Sequence, residues 1–420
     1  MVSVIHHRMV VDHQMVPITL RIYNLIVSIV RYLQKLVWPV ELSIFYPFPR
    51  TIDLLDLALS LFVVLFITLT AFALRRNRPW LVTGWCWFLI ALLPAGGLIQ
   101  AGLWPGIANR FMYIPMIGLF IMGIWECDAR LKGRYSRFLK SVLCIAMLVY
   151  FASLTRVQNN YFSNSFALFS RCLEVVGENE LALNNLGAAL SALGRQDEAL
   201  TYFARSIRLN PTQANAYHNY GVCLVAKGDE AGAISYFERA IELNPKLVNP
   251  LIHLGLIRNS KGDIDGAVEL LKKALKIDEN NLDVHNNYGT ILSTQMKFDE
   301  AIPHFLFVLK RDPAYVEARI NLSQAYEEAG LYSEAMAEYR RLDKIITHHK
   351  GYIYYRMARV HSQQKAFAEC ENDLQRALKD GFDVWNLIES DKGFIHFRET
   401  QAYRRFLESS APRPQAGASR

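Results

Sequence analysis

The sequence lacks the short motifs that enzymes commonly use to hold phosphates, metals or nucleophiles. No glycine-rich phosphate loop, no HExxH pair and no Ser-His-Asp order occurs in its 420 residues. Two adjacent histidine pairs are present, His6-His7 and His348-His349, but neighbouring side chains point apart on a helix and do not share a metal ion. The residues themselves therefore indicate neither a metal site nor a catalytic group.

Cysteine is scarce, with 6 residues and no paired motif. Three cysteines lie in or beside apolar runs and three lie singly in the second half of the chain: Cys86, Cys127, Cys144, Cys172, Cys223 and Cys370. Single cysteines in apolar surroundings are typical of small buried side chains, and we interpret all six in that way.

A basic and aromatic surface of the kind that holds nucleic acid is also missing. The formal net charge is +7, from 46 Lys+Arg against 39 Asp+Glu. The basic residues cluster in short loops between apolar runs, where membrane topology explains them better than nucleic acid does. We therefore exclude nucleic acid as a partner.

Long apolar runs dominate the first part of the chain. Apolar residues make up 52% of the sequence and concentrate before residue 156, which predicts a membrane half followed by a soluble half. We predict four transmembrane spans, over residues 52–74, 80–100, 111–126 and 139–155. Pro94 and the two residues Gly96-Gly97 are expected to bend the second span, either beside a cavity or as a packing kink.

Residues 17–37 precede the spans and are amphipathic at helical spacing. One stripe is polar and the other is apolar; the polar stripe consists of Arg21, Asn24, Ser28, Arg31 and Lys35. Such a helix is expected to lie in the membrane interface, with a spanning helix as the alternative. Residues 1–51 are thus an interfacial helix and loop, and residues 52–156 are a transmembrane bundle.

Basic residues mark the cytoplasmic side. In the loops around the spans, most basic residues follow the first and third spans: Arg75, Arg76 and Arg78, then Arg130, Lys132, Arg134, Arg137 and Lys140. The other two loops hold only Arg50 and Arg110. By the positive-inside rule the two basic loops are cytoplasmic, so the chain after Thr155 is extracytoplasmic. We predict an integral, multi-pass membrane protein whose second half is periplasmic in a bacterium or luminal in a eukaryote.

The second half repeats a pattern every 34 residues between Glu180 and Val384. A large residue is followed by a small one at Leu186-Gly187, Tyr220-Gly221, Leu254-Gly255, Tyr288-Gly289 and Leu322-Ser323. An alanine follows twelve residues later and a large apolar residue four residues after that: Ala199, Ala233, Ala267, Ala301 and Ala335, then Phe203, Phe237, Leu271, Phe305 and Tyr339. This period is the signature of the tetratricopeptide repeat, a pair of helices A and B that packs on its neighbours.

The pattern predicts an all-α protein, a transmembrane bundle followed by a repeat solenoid. The solenoid occupies residues 180–384, with five clear repeats and a sixth, degenerate one that contains Met357-Ala358 and Cys370. Because end repeats must cover an apolar face, we predict a capping helix over 157–179 and another over 385–408. Residues 409–420 are predicted to be a disordered tail.

The membrane half resembles a known family. Trp38-Pro39, Leu92-Leu93-Pro94 and the run from Asn109 to Gly118 are similar to the tetratricopeptide-containing protein O-mannosyltransferases and their bacterial relatives, in the C superfamily of membrane glycosyltransferases. The resemblance implies a polyprenyl-phosphate sugar donor, and catalytic acids in a first extracytoplasmic loop. This chain has only about four of the family's ten spans, and no acid pair matches. Asp53 and Asp56 are better explained as first-turn acids of a helix.

The resemblance also implies a lipid-phosphate site at Arg110 and Tyr113, where a span begins at the extracytoplasmic face. An arginine fork suits a phosphate, and the N-terminal amides of a helix add to it. The alternative is an arginine that extends to the headgroup level without a specific ligand.

A second candidate site is a ladder of polar residues on helix A of each repeat: Asn185, Asn219, His253, Asn287 and Asn321. Helix A lines the concave face of such an array, and each amide offers a donor and an acceptor to an extended peptide. The ladder resembles that of O-GlcNAc transferase. The alternative is that these side chains only cap or pack.

Two functions follow from these patterns. The first is a membrane-anchored extracytoplasmic scaffold that binds proteins or extended peptides on the concave repeat face. The second is part of a polyprenyl-phosphate-sugar-dependent protein glycosyltransferase whose catalytic half is supplied by a missing segment or a partner chain. Membrane lipids are expected partners in both cases, and no cofactor is expected apart from the sugar donor in the second.

Overall fold

The computed structural model describes residues 17–39, 42–44, 46, 49, 51–95 and 112–410. The chain divides into two compact units, residues 1–247 and 248–420, and each is treated by itself below. Within the described residues the regular structure is helical throughout and contains no strand. This agrees with the predicted all-α class.

The first unit begins with five helices that precede the repeats. They are α1 (Ile18–Val37), α2 (Leu54–Ala73), α3 (Pro79–Leu92), α4 (Pro115–Arg130) and α5 (Ser136–Tyr161). In the described part of the chain, α2 and α5 are long and apolar enough to cross a membrane, and α3 is a shorter apolar helix of 14 residues. Two of the four predicted spans therefore have the necessary length and composition, and the four-span bundle stays a prediction.

The α-helix of the second predicted span ends where the sequence predicts a bend. Helix α3 ends at Leu92, and a 3-10 turn follows over Leu93–Ala95. Proline lacks an amide hydrogen and its ring clashes with the preceding turn, so the α-helix does not continue through Pro94. Residues 96–111 lie outside the described residues, so the cavity predicted beside this bend is not tested.

Helix α1 differs from the simple amphipathic helix that the sequence predicts. Two members of the polar stripe, Asn24 and Ser28, are buried in the protein instead of facing water or headgroups. Tyr32 on the same side packs with Trp85 and other apolar residues of α3. The predicted polar face is therefore wrong for these two residues, because α1 packs on neighbouring helices and small polar side chains fit into that contact. Helix α1 carries three basic residues and is not among the helices apolar enough to cross a membrane.

Helices α3 and α4 approach until their backbones touch. A Cβ atom placed on Gly84 would lie 2.3 Å from the carbonyl oxygen of Gly118, and a Cβ on Gly118 would lie 2.3 Å from that of Gly84. Trp87 Nε1 also donates to the Ile114 carbonyl at 3.0 Å. Close contact through small residues is characteristic of helix pairs in membranes, where burial of apolar area provides no driving force.

Ion pairs place the two basic loops at one end of this helical group. Arg78, which precedes α3, pairs with Glu126 near the end of α4. Trp80 Nε1 donates to the same carboxylate at 3.3 Å. Lys140, at the start of α5, pairs with Asp128 at 2.6 Å. The loop after α2 and the loop after α4 therefore lie together, as the topology prediction requires.

The repeats follow as pairs of helices. The first unit contains α6 (Ser165–Val176), α7 (Glu180–Ala192), α8 (Gln196–Leu209), α9 (Ala214–Ala226) and α10 (Glu230–Leu243). The second unit contains α11 (Val248–Ser260), α12 (Ile264–Ile277), α13 (Leu282–Thr294), α14 (Phe298–Arg311), α15 (Val316–Glu328), α16 (Tyr332–Ile345), α17 (Gly351–Gln363) and α18 (Phe367–Lys379). Odd-numbered helices from α7 to α17 are helices A, and even-numbered ones from α8 to α18 are helices B.

The C-terminal end differs from the single closing helix predicted. It consists of three short helices, α19 (Trp385–Ser390), α20 (Ile395–Arg398) and α21 (Gln401–Ser410). Phe394, Phe397 and Phe406 from this region are fully buried and cover the apolar side of the last repeat. Helix α21 includes residues 409 and 410, and the rest of the predicted tail lies outside the described residues.

Each helix B from α8 to α14 ends at an asparagine or aspartate for a local reason. The side-chain oxygens of Asn210, Asn244, Asp278 and Asp312 accept a hydrogen bond from the amide two residues later, at 3.1, 3.1, 3.2 and 2.9 Å. This Asx turn competes with the helix for the backbone and directs the chain towards the next helix A.

The small residue of helix A faces a ring of helix B within the same repeat. A Cβ atom on Gly289 would lie 2.8 Å from the Phe305 ring, whereas a Cβ on Gly255 would lie 3.5 Å from Leu271, an ordinary contact. The repeat with a smaller partner on helix B therefore has room for a methyl group, and the repeat with an aromatic ring does not.

We predict opposite effects for alanine at these two glycines. Gly289→Ala is expected to destabilise the second unit by about 1–3 kcal/mol, because the Phe305 ring must move. Gly255→Ala is expected to be neutral or stabilising by up to about 1 kcal/mol, because alanine favours the helix. Denaturant unfolding of the full chain, followed by circular dichroism, measures both. Equal effects at the two positions would contradict the proposed contact.

Candidate functional site

The ladder residues of the first unit are already hydrogen-bonded. Asn185 Nδ2 donates to the carbonyl of Leu181 in its own helix at 2.8 Å. Asn219 Nδ2 donates to Asn184 Oδ1 at 3.0 Å and so joins helix A of one repeat to helix A of the preceding repeat. Both ladder side chains remain partly exposed.

The second unit shows the same two arrangements. Asn287 Nδ2 donates to the Asp283 carbonyl of its own helix at 2.8 Å. Asn321 Nδ2 donates to Asn286 Oδ1 at 3.0 Å and to Thr290 Oγ1 at 3.1 Å, across to the preceding helix A. His253 is largely buried, which lowers the pKa of its imidazole and favours the neutral form at pH 7.

The ladder therefore contains two kinds of asparagine. Asn219 and Asn321 stabilise the stacking of helices A, which supports the packing interpretation at these two positions. Asn185 and Asn287 bond only within their own helix, so exchanging that bond for one to a ligand breaks no contact between repeats. Sequence reasoning missed the partners Asn184 and Asn286, although the doublets Asn184-Asn185 and Asn286-Asn287 were a usable signal.

Alanine substitutions are expected to distinguish the two kinds of asparagine. Asn321→Ala removes both bonds to the preceding helix and leaves the buried Asn286 side chain without this donor, so we expect a loss of about 1–3 kcal/mol. Asn287→Ala removes one local bond at a partly exposed position, and we expect a change within about 0.5 kcal/mol. Denaturant unfolding of the full chain measures the difference. A larger loss for Asn287→Ala than for Asn321→Ala would refute this division.

A buried charge network lies at the end of the second unit, and sequence reasoning missed it. The Glu327 side chain is 1% exposed and pairs with Arg356 at 2.8 Å and with Arg359 at 2.5 Å. Tyr339 Oη donates to the same carboxylate at 2.7 Å, and burial together with that charge raises the pKa of Tyr339. Arg359 also reaches Asp391 at 3.0 Å. The network links α15, α16 and α17 to the turn before α20.

Removal of the central charge is expected to be costly. Glu327→Gln leaves two arginines with fewer compensating charges in a buried setting, and we expect a loss of about 3–5 kcal/mol. Glu328→Gln is the matched control, since that neighbour contacts Arg359 from a side chain that is 45% exposed; its expected cost is below about 1 kcal/mol. The midpoint of denaturant unfolding distinguishes the two variants. A similar small effect for both would show that the network is not structural.

The predicted lipid-phosphate site is described only in part. Tyr113 is 73% exposed and lies in the turn just before α4. Arg110 lies outside the described residues, so the site stays a prediction. Asp53, in contrast, is the N-cap of α2, and its side chain accepts from the amides of Leu55 and Asp56. Asp56 pairs with Arg31 at 3.1 Å. These contacts agree with the structural interpretation of both acids.

The three cysteines of the repeat half are buried, as predicted, whereas Cys86 and Cys127 are half-buried and Cys144 is exposed. The prediction is therefore wrong for Cys144, which lies on α5, a helix with no buried residue. Burial raises the pKa of the thiols of Cys172, Cys223 and Cys370, which keeps them protonated and unreactive. The Cys172 thiol lies within hydrogen-bonding reach of the Ser43 and Asn179 side chains. This contact joins α6 to the segment after α1. Among the described residues, no group of three or more potential ligands could hold a metal ion.

Comparison with known proteins confirms the repeats. Residues 182–246, 255–295 and 289–346 match models of the tetratricopeptide repeat. The chain therefore contains tetratricopeptide repeats in these regions, and the predicted 34-residue register is correct.

A curated relative is similar over a shorter stretch. The chain is 29% identical over 127 residues to a protein described as "Protein O-mannosyl-transferase Tmtc3" from Drosophila melanogaster. The alignment covers 29% of this chain and 13% of that protein, so the chain matches only a small part of the relative.

Solved structures are similar only at low scores. YrrB, described as a TPR protein with an unusual peptide-binding site, has a TM-score of 0.34 and 22% identity, over 42% of this chain and 91% of that chain. PilF from Pseudomonas aeruginosa has a TM-score of 0.44 and 15% identity, over 52% of this chain and 96% of that chain. These scores add nothing to the functional argument.

Proposed function

We propose that the protein is a membrane-anchored scaffold whose repeats bind extended segments of partner proteins outside the cytoplasm. The observation that carries the proposal is the recurrence of a partly exposed asparagine at one position of helix A, twice in each unit. An amide presents one acceptor and two donor hydrogens, which is the complement of a peptide backbone.

Asn185 and Asn287 are the members best suited to hold a peptide. Each bonds only to a carbonyl of its own helix, so a ligand can replace that bond without loosening the stack of repeats. A net hydrogen bond contributes about 0.5–1.5 kcal/mol, so several such contacts are needed for useful affinity.

The membrane part of the proposal rests on α2, α5 and the basic loops. Both helices meet the length and composition of a span, and no residue of α5 is buried in the protein. Arg78 forms an ion pair with Glu126 of α4, and Lys140 forms one with Asp128 of the same helix. These pairs hold the two basic loops at one end of the helices. We propose four spans with these loops in the cytoplasm, and repeats in the periplasm or an organelle lumen.

A peptide selected on the purified full chain in lipid nanodiscs tests the scaffold function. A peptide enriched from a random 12-residue library is measured by fluorescence anisotropy against wild type, Asn185→Ala and Asn287→Ala. We expect the substitution in the unit that holds the peptide to weaken binding about 3–10-fold, since it removes one hydrogen bond. Asn386→Ala, an exposed asparagine of α19, is the matched control and is expected to bind as wild type does.

Backbone recognition adds a second criterion. Methylation of successive backbone nitrogens in the selected peptide is expected to weaken binding more than alanine substitution of its side chains. Failure to select any peptide over empty nanodiscs would contradict the scaffold function. Binding that is unaffected by both asparagine substitutions would remove the ladder from it.

The alternative is a part of a polyprenyl-phosphate-sugar-dependent protein glycosyltransferase, and the partial similarity to Tmtc3 favours it. In that case Arg110 and Tyr113 hold the donor's phosphate, and another chain or segment supplies the catalytic acids. Two measurements separate this function from a scaffold. Weaker binding of polyprenyl phosphate by Arg110→Ala than by wild type supports it. Transfer of mannose from polyprenyl-phosphate mannose to a Ser/Thr peptide by this chain alone would establish catalysis.

A further inference from the structure

A cavity of about 270 Å³ opens between α14, α15 and α16 in the second unit. Three leucines and three cationic residues line it: Leu306, Leu309, Leu322, Lys310, Arg319 and Arg341. Glu338 is the single acid at its wall and pairs with both Arg319 and Arg341, and the lining keeps a formal charge of +2. No ladder asparagine lines the cavity, and it is therefore separate from the peptide surface proposed above.

Arg319 at this cavity is buried and incompletely bonded. Its side chain is 9% exposed, and Nη1 donates to Glu338 Oε2 at 2.6 Å. Nη2 donates to the Pro313 carbonyl at 2.7 Å. The buried Nε has no hydrogen-bond partner among the described residues. A buried donor without a partner is unfavourable, and such groups call for a specific explanation.

The other repeats show that the buried charge is not needed for the fold. The positions equivalent to Arg319 and Glu338 are occupied by Leu251 and Leu270 in the third repeat. In the second repeat they are Tyr217 and Tyr236, whose ring centroids lie 6.2 Å apart. In the fourth repeat they are His285 and His304, whose Nδ1 atoms lie 2.7 Å apart. Leucine and tyrosine pairs without an ion pair thus build the same helix contact. A buried ion pair gives no stability advantage over such a pair, so its presence in one repeat points to a role other than folding.

Leu306 is a second departure from the repeat pattern at the same cavity. It is 44% exposed, and the equivalent positions in the other four clear repeats hold Ala204, Glu238, Lys272 and Arg340. An aliphatic side chain therefore stands on the surface where the other repeats place a small or charged one. The two departures meet at one cavity and give it a cationic part and an aliphatic part.

We propose that this cavity binds an acidic side chain, next to an aliphatic one, in an exposed segment of a partner protein. The carboxylate accepts from Arg319 and Arg341 with Lys310 nearby, and the aliphatic neighbour packs on Leu306 and Leu309. The volume is below the ~300–1,000 Å³ typical of small-molecule sites, which suits one or two side chains better than a whole cofactor. The site does not depend on the function proposed for the asparagine ladder.

A pair of peptides tests the charge requirement on the full chain in nanodiscs. The probes are fluorescein-labelled Gly-Leu-Asp-Leu-Gly and the same peptide with Asn in place of Asp, both capped at each end. We expect the Asp peptide to bind with a Kd on the order of 1 mM or lower, and the Asn peptide about tenfold more weakly. Equal affinity for the two peptides, or no binding of the Asp peptide at several times that concentration, would overturn the proposal.

Three variants locate the site. Arg319→Leu with Glu338→Leu recreates the leucine pair of the third repeat, so it is expected to fold normally and to lose the preference for Asp. Arg341→Gln changes a side chain that is 63% exposed and is expected to weaken Asp-peptide binding about 3–10-fold. Arg340→Gln, its neighbour outside the cavity, is the matched control. Should the double variant fail to fold, Arg341→Gln against Arg340→Gln decides, and equal binding by these two refutes the site.

Discussion

The close contact between helix A and helix B within each repeat is the constraint on which the repeat array depends. In three repeats a glycine of helix A faces a phenylalanine ring of helix B, at a separation that excludes even a methyl group. The alanine that follows on helix B is fully buried in all five clear repeats. Two helices held this closely present one apolar side to the next pair, and each pair is stable only because a neighbour covers that side.

This constraint is periodic, which explains why so much of the fold could be predicted from the sequence. The small residues, alanines and large apolar residues recur at a fixed spacing, and Asn or Asp with its Asx turn marks the end of helices B from Asn210 to Asp312. Two features outside the period were not predicted. Glu327 pairs with Arg356 and Arg359, about thirty residues away in the degenerate sixth repeat, where the 34-residue pattern is not kept. Asn24 and Ser28 are buried because neighbouring helices pack on α1. The spacing of polar residues along one helix does not show where its neighbours lie.

The two candidate sites differ in the same way: the asparagine ladder follows the repeat period, and the cavity departs from it. The ladder was predicted because it is periodic. Only the structure shows that it has two kinds of members: Asn219 and Asn321 donate to the preceding helix A, whereas Asn185 and Asn287 donate within their own helix. The cavity at Arg319 is the opposite case. It is defined by departures from the period, and a comparison of equivalent positions in the five repeats would have revealed Arg319, Glu338 and Leu306 from the sequence alone.

The membrane half connects to this array through contacts in the first unit, at Cys172 and Ser43, and its orientation decides which partners the repeats can meet. Labelling of single cysteines with a membrane-impermeant maleimide, in a cysteine-free background, tests that orientation most directly. If the repeats are extracytoplasmic, Lys261→Cys, between α11 and α12, is labelled in sealed vesicles with the extracytoplasmic face outward, and Arg134→Cys is labelled only after lysis. Labelling of Arg134→Cys but not Lys261→Cys before lysis would place the repeats in the cytoplasm and contradict the account.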